Sequence, residues 1–220
     1  MPTSMTYTSL FADLQNYLER GTPSDTIVIN QIPRLINLAE RAIANKLKIQ
    51  GFLTPVISTI VAGTSVYAKP NGWRSTVSMN YGAGTDQNFR TPLLPRSYEY
   101  CRAYWPDSDV IDANLVNVPK FYADYEYNHW LIVPTPAINY PWEVNYYQQP
   151  PLLDNSNQTN WLTDFAPNLL LYRALLEATP FLKNDERLQT WQAMYQEQLD
   201  SIDMQDMQKI ADREAVRSKA

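Results

Sequence analysis

The sequence is short of the residues from which most active sites are built. In 220 residues it has one histidine, His129, and one cysteine, Cys101. A single cysteine cannot close an intrachain disulfide. One His plus one Cys cannot supply the several nitrogen or sulfur ligands of a zinc site. Glycine is scarce, at 6 residues. Gly82-Ala83-Gly84 lacks the third glycine of a dinucleotide fingerprint and the Gly-Lys-Ser/Thr of a phosphate loop, so it reads as a loop tip. A basic surplus is missing too: 18 Lys and Arg stand against 23 Asp and Glu, giving a net charge of −5 and a pI near 4.9. Duplex binders gain affinity by neutralising phosphates with Lys and Arg, so tight DNA binding is not expected, while a weakly repulsive contact with DNA is compatible. No apolar run approaches the roughly 18 residues of a membrane-spanning helix. The opening MPTSMTYTSLF has no basic region followed by an apolar run, so no signal peptide is expected. Without one, the sequon-like triplet Asn157-Gln158-Thr159 carries no weight.

What is present describes a packed protein. A hydrophobic content of 45% with 19% charged residues is globular and not disordered. The length suits one domain, or one domain with an insertion. The unusual counts are 15 Tyr, 6 Trp and 16 Pro. Tyr and Trp carry a large apolar body and a polar tip, which suits either a surface that becomes an interface or an aromatic-rich β core.

The chain ends read as helices. Leu10, Phe11, Leu14, Tyr17 and Leu18 share one helical face, and Gly21 offers a C-terminal cap. Ser24 or Asp25 can cap a second helix, which Pro33 is expected to break or restart near Ile32. Leu35, Ile36, Ala39, Ala42, Ile43 and Leu47 then recur at helical spacing, and Gly51 marks the end. From about residue 54 to 151 the period changes to two. Tyr98, Tyr100, Arg102 and Tyr104 alternate with Cys101, Ala103 and Trp105; Phe121, Ala123, Tyr125 and Tyr127 alternate with Tyr122, Asp124 and Glu126. A polar turn at Asn128-His129 leads into residues 130–133 as a hairpin. Trp142, Val144 and Tyr146 mark another strand, and prolines 70, 92, 95, 106, 119, 134, 136 and 141 punctuate the region. Helical signals return after Asn157. Asp164 and Pro167 suit a first turn, Leu170, Leu171, Ala174, Leu175 and Ala178 form a stripe, and Pro180 stops it. Asn184 or Asp185 can cap a last helix carrying Leu188, Trp191, Tyr195, Leu199 and Ile202. An α+β fold follows: a helical bundle built from both chain ends (residues 1–52 and 155–204), an antiparallel β-domain inserted at 53–154, and an extended C-terminal tail at 205–220.

Catalytic constellations are not found. His129 and Cys101 have no flanking nucleophile motif, and there is no G-x-S-x-G, so structural roles are favoured for both. Asp107, Asp109 and Asp112 lack the glycine and distal glutamate of a calcium loop. Asp124 and Glu126 fall on the same side of a predicted strand, where a solvent-facing or subunit-facing side is a better reading than acid–base work. Glu40 and Arg41 point about 100° apart on a helix, so each is expected to form a structural ion pair with another helix. Residues 203–220 hold four acidic and four basic residues. They read as a frayed end or as an extension that orders on a neighbouring protein.

Three blocks resemble one family. PRLINLAERAI (33–43), LLPRSYEYCRAYWP (93–106) and PPLLDNSNQTNWLTDFAPNLLLYRALLEATPFLKNDERLQTW (150–191) are similar to the head–tail adaptors of tailed bacteriophages, the SU10-type neck proteins. The resemblance covers most of the chain, and the last block is the most specific part. It implies a virion protein made in the bacterial cytoplasm and assembled in the neck as a ring, usually of twelve copies. Its partners would be further copies of itself, the portal above, and neck, tail or nozzle proteins below. Double-stranded DNA would pass through the lumen, with no membrane, cofactor, metal or catalytic residue involved. The C-terminal extension would reach the portal, which makes Lys209, Arg213, Arg217 and Lys219 the candidate portal-contacting residues. The acidic chain suits such a lumen, since rows of Lys and Arg would slow the passage of DNA. The competing reading is a tail-associated carbohydrate- or receptor-binding module, because surface Trp and Tyr stack on sugars. A third is a hydrolase using His129.

Overall fold

The computed structural model describes residues 4–18, 26–48, 50–82, 90–106, 117–181 and 186–217, with the side chains of 50, 181 and 206–217 left aside. Gly21, Ser24, Asp25, Ala83, Gly84, Asp107, Asp109, Asp112, Asn184, Asp185 and Lys219 lie outside the described residues. The chain divides into two compact units, 1–52 with 149–220, and 53–148.

The first unit is helical. Thr6 caps α1 (Tyr7–Tyr17): its hydroxyl accepts from Ser9 N, and the Ser9 hydroxyl accepts from Thr6 N. Leu10, Leu14 and Leu18 are buried, as their spacing predicts. Helix α2 (Thr26–Lys46) is continuous through Pro33, so the expected break is absent. Proline removes one backbone donor, but Ile32, Leu35, Ile36, Ala39 and Ile43 bury one continuous face, and that packing outweighs the lost bond. Two adjacent helices, α4 (Trp161–Phe165) and α5 (Pro167–Ala178), follow the strand unit. Asp164 therefore sits inside α4, while Pro167 does open α5. The α5 stripe is buried on Leu170, Leu171, Ala174, Leu175 and Ala178. Helix α5 packs against α1, α2 and α6 (Leu188–Arg217). In α6, Trp191, Tyr195 and Leu199 are buried and Leu188 is exposed.

Gly51 serves packing and not helix termination. Helix α2 ends at Lys46, and Gly51 lies in a 3-10 turn at 50–52. A Cβ there would clash with the Trp161 indole, which sits edge-on against buried Phe52 at 5.4 Å. Gly51→Ala is expected to displace Trp161 and cost about 1–3 kcal/mol in urea unfolding, the range for overpacking a tight contact.

The second unit has three layers. Strands β1 (Leu53–Ile60), β8 (Tyr140–Gln148), β3 (Trp73–Gly82) and β4 (Arg90–Pro92) form one sheet in that order. The second sheet runs β2 (Val66–Ala68), β7 (His129–Val133), β6 (Phe121–Glu126) and β5 (Leu94–Pro95). Its β5–β6 pair is parallel, so the unit is not purely antiparallel. Between the sheets lies a core of Ile60, Met79, Tyr81, Trp142 and Val144 against Tyr122, Trp130 and Ile132. Much of the aromatic content is used here: Trp130 meets Trp73 at 6.3 Å and Trp142 at 5.8 Å, both edge-to-face. The Pro70–Trp73 turn that starts β3 puts Gly72 at φ 74°, a conformation that favours glycine.

Residues 98–105, whose alternation suggests a strand, instead form a helix, α3 (Tyr98–Tyr104). Ser97 sits at its N-cap and accepts from Tyr100 N at 3.2 Å. The Tyr-x-Tyr spacing imitates period two, whereas Cys101 and Trp105, four apart, face inward on a helix. Helix α3 covers the far side of the second sheet, where Cys101 packs with Ala123, Leu131 and Val133. The β6–β7 turn falls at Tyr127-Asn128, one residue earlier than expected, and His129 begins β7.

Candidate functional site

Helix α3 and strand β6 carry two groups of rings, on different flanks of the helix. Tyr100 lies 4.7 Å from Tyr104 and 5.9 Å from Phe121; Trp105 lies 5.9 Å from Tyr104 and 5.8 Å from Phe121; Tyr98 lies 5.8 Å from Tyr125 on β6. Tyr104 is 65% exposed and Tyr125 41%. Two guanidinium groups interleave with them. Arg96 lies 5.4 Å from the Tyr100 and Phe121 rings. Arg102 lies over Tyr98 and Tyr125, at 5.5 and 5.7 Å, and donates to the Tyr98 hydroxyl and to Pro106 O. Neither arginine has an ion-pair partner among the described residues. Exposed Tyr beside Arg is the composition of energetically dominant protein contacts, because each buries much area on binding. Arg96 escapes sequence reasoning; only the packing of β5 beside β6 brings it to these rings.

The residues considered for chemistry are spread over separate structural tasks. Cys101 is fully buried, and burial raises its thiol pKa, which disfavours the nucleophilic thiolate. His129 pairs with Glu126 across the hairpin turn. Asp124 pairs with Lys69 Nζ at 2.7 Å. That ammonium also donates to Glu126 O at 3.0 Å and lies 3.7 Å from the Trp73 ring centroid. A register shift separates Asp124 from Glu126, and each carboxylate has its own partner, Lys69 for Asp124 and His129 for Glu126. Their partners Lys69 and His129 line a cleft of about 300 Å³ together with Asn71, Trp73, Tyr127 and Asn128. Among the described residues no three His, Cys, Asp or Glu cluster as metal ligands, and no helix is long and apolar enough to cross a membrane.

Glu40 corrects the ion-pair expectation. It is fully buried, and its carboxylate accepts from Leu153 N at 3.1 Å and Asn160 Nδ2 at 2.6 Å. Asn37, with its amide nitrogen turned inward, donates to Glu40 Oε2 at 3.2 Å and Leu153 O at 3.3 Å. Asn160 in turn caps α4 through Leu162 N and Thr163 N. Farther along the same loop, Gln158 O accepts from Tyr7 N at 2.8 Å, and Gln158 Oε1 accepts from Thr8 N and its hydroxyl. The polar stretch DNSNQTN therefore ties α1, α2 and α4 together. Burial pushes the Glu40 pKa up to about 7, against the pull of the Leu153 and Asn160 hydrogen bonds and of Arg41.

The apolar stripe of α6 ends near Ile202, and Asp203, Met204 and Gln205 are exposed. The helix nevertheless continues to Arg217, 30 residues in all, or about 45 Å at 1.5 Å per residue. Lys209, Arg213 and Arg217 fall on this last stretch.

No curated protein matches the chain. The family model described as SU10 adaptor protein matches residues 5–218. The matched span takes in the helical unit and the whole strand unit, including α3 and the 149–160 loop. The chain therefore belongs to the SU10 adaptor protein family, whose members are phage adaptor proteins.

Proposed function

We propose that this chain is the subunit of a ring, of twelve copies, that joins the portal of a tailed bacteriophage to its tail. Genomic DNA passes through the lumen, and nozzle or other neck proteins attach below. The observation that carries this reading is the near full-length match to an adaptor family. The net charge of −5 supports it, because an acidic lumen does not hold DNA. The same reading assigns residues 205–220 to the portal, with Lys209, Arg213, Arg217 and Lys219 as contacts. Helix α6 continues to Arg217, which gives the chain an extension long enough to reach a neighbouring protein, and that supports the assignment.

Cryo-electron microscopy of the virion neck tests this directly. A ring of this chain between portal and tail is expected. Its presence at a tail tip, with affinity for a glycan, would favour the carbohydrate- or receptor-binding alternative. Truncation after Ile202 is expected to weaken binding to purified portal at least about tenfold, or ~1.4 kcal/mol. The truncated chain should unfold at nearly the same temperature, since Trp191, Tyr195 and Leu199 remain. His129→Ala is expected to leave ring formation unchanged in the same particles, because a partly exposed His–Glu pair contributes little.

A further inference from the structure

We propose that the aromatic face of α3 in one copy docks on the outer surface of the β1-β8-β3-β4 sheet of the next copy. This inference rests on the ring reading and names the surfaces that would make the ring.

The two surfaces are the opposite outer layers of one three-layer unit. Helix α3 lies on the far side of the second sheet, and the intersheet core lies on its near side. On the first sheet, Trp142, Val144 and Tyr146 point into the protein, so Glu143 and Asn145 point outward. Ile57 pairs with Glu143 and Asn80 flanks it on the other side, which places a row of three side chains on that outer surface. Ile57 is 73% exposed, and Val77, the extra residue in the register shift of β3, is 48% exposed.

Chemical complementarity selects a second copy as the occupant. Helix α3 offers rings with Arg96 on one flank and Arg102 on the other, neither ion-paired among the described residues, with the exposed Glu99 on the same helix. The outer sheet surface offers isolated aliphatic side chains plus Glu143. The ion pair of Glu143, to Arg90, is a loose 3.7 Å contact. Rings meet aliphatic groups, and guanidinium meets carboxylate. Unlike surfaces on opposite sides of one subunit make a head-to-tail contact, which closes into a ring when the rotation per copy allows.

The test is photocrosslinking in purified virions, with p-benzoylphenylalanine in place of Tyr104 and mass spectrometry of the product. The expected product joins position 104 to a peptide from β1, β3 or β8 of a second copy. Two companion variants, Ile57→Asp and Tyr104→Ala, should each reduce the chain's incorporation into particles severalfold. Both should leave the melting temperature of the isolated chain nearly unchanged, since both side chains are mostly exposed. A crosslink to another protein or to another region of a copy, or no crosslink in particles that have the ring, overturns the docking proposal and leaves the adaptor reading standing. Particles whose neck holds no ring of this chain overturn both.

Discussion

Replacing Glu40 by alanine is expected to destabilise the protein by about 2–4 kcal/mol, because it strands buried donors that have no water to turn to. Leu153 N and the Asn160 amide both lose their acceptor, and Asn160 is also the cap of α4. Equilibrium urea unfolding at pH 7 measures this cost. The same carboxyl gives a pH signature whose sign is fixed by linkage. Its folded pKa, about 7, lies above the ordinary 4.5, so the folded state binds more protons than the unfolded state between those values. The contribution to stability is therefore present in full below about pH 4.5 and lost as pH rises through about 7. A gap of that size corresponds to about 3 kcal/mol at 1.36 kcal/mol per pH unit. Glu40→Gln keeps an acceptor oxygen but cannot titrate, so its stability should fall less steeply than the wild type's from pH 5 to pH 8. Parallel pH profiles for the two proteins would show that Glu40 does not change charge in that range.

Trp130→Ala is expected to cost about 3–5 kcal/mol, the range for removing a large aromatic side chain from a core. Trp130 is 1% exposed and lies edge-to-face with both Trp73 and Trp142. Its indole N–H donates to the Thr76 hydroxyl at 3.0 Å. Trp130→Phe keeps part of the ring contact but removes one of the two indole donors to that hydroxyl, the other being Trp73 Nε1 at 3.2 Å, and about 1 kcal/mol is expected. The two denaturation midpoints, with the loss of near-ultraviolet dichroism in the alanine variant, check the ordering. If alanine and phenylalanine cost the same, the hydrogen bond and not the ring packing would hold the two sheets together.

Local periodicity by itself determined much of the helical framework. Most of the buried faces of α1, α2, α5 and the first half of α6 follow from apolar spacing, with Tyr17 and Leu188 exposed and Glu40 buried against the pattern. The alternation in β8 likewise identifies Trp142, Val144 and Tyr146 as core. Tertiary structure decided what depends on partners distant in sequence. Pro33 stays inside a helix because the whole buried face of α2 has neighbours to pack on. Residues 98–104 become a helix because Cys101 and Trp105 find an apolar surface on the second sheet, while their local pattern fits a strand equally well. Glu40 takes partners 113 and 120 residues away, Leu153 and Asn160, where the sequence showed only a carboxylate beside an arginine. The aromatic face is likewise a product of assembly within the fold, since Arg96, Tyr100 and Phe121 meet only when β5 lies parallel to β6. Chain neighbours set which conformations are cheap, but which of them is buried is settled by what the rest of the chain brings alongside.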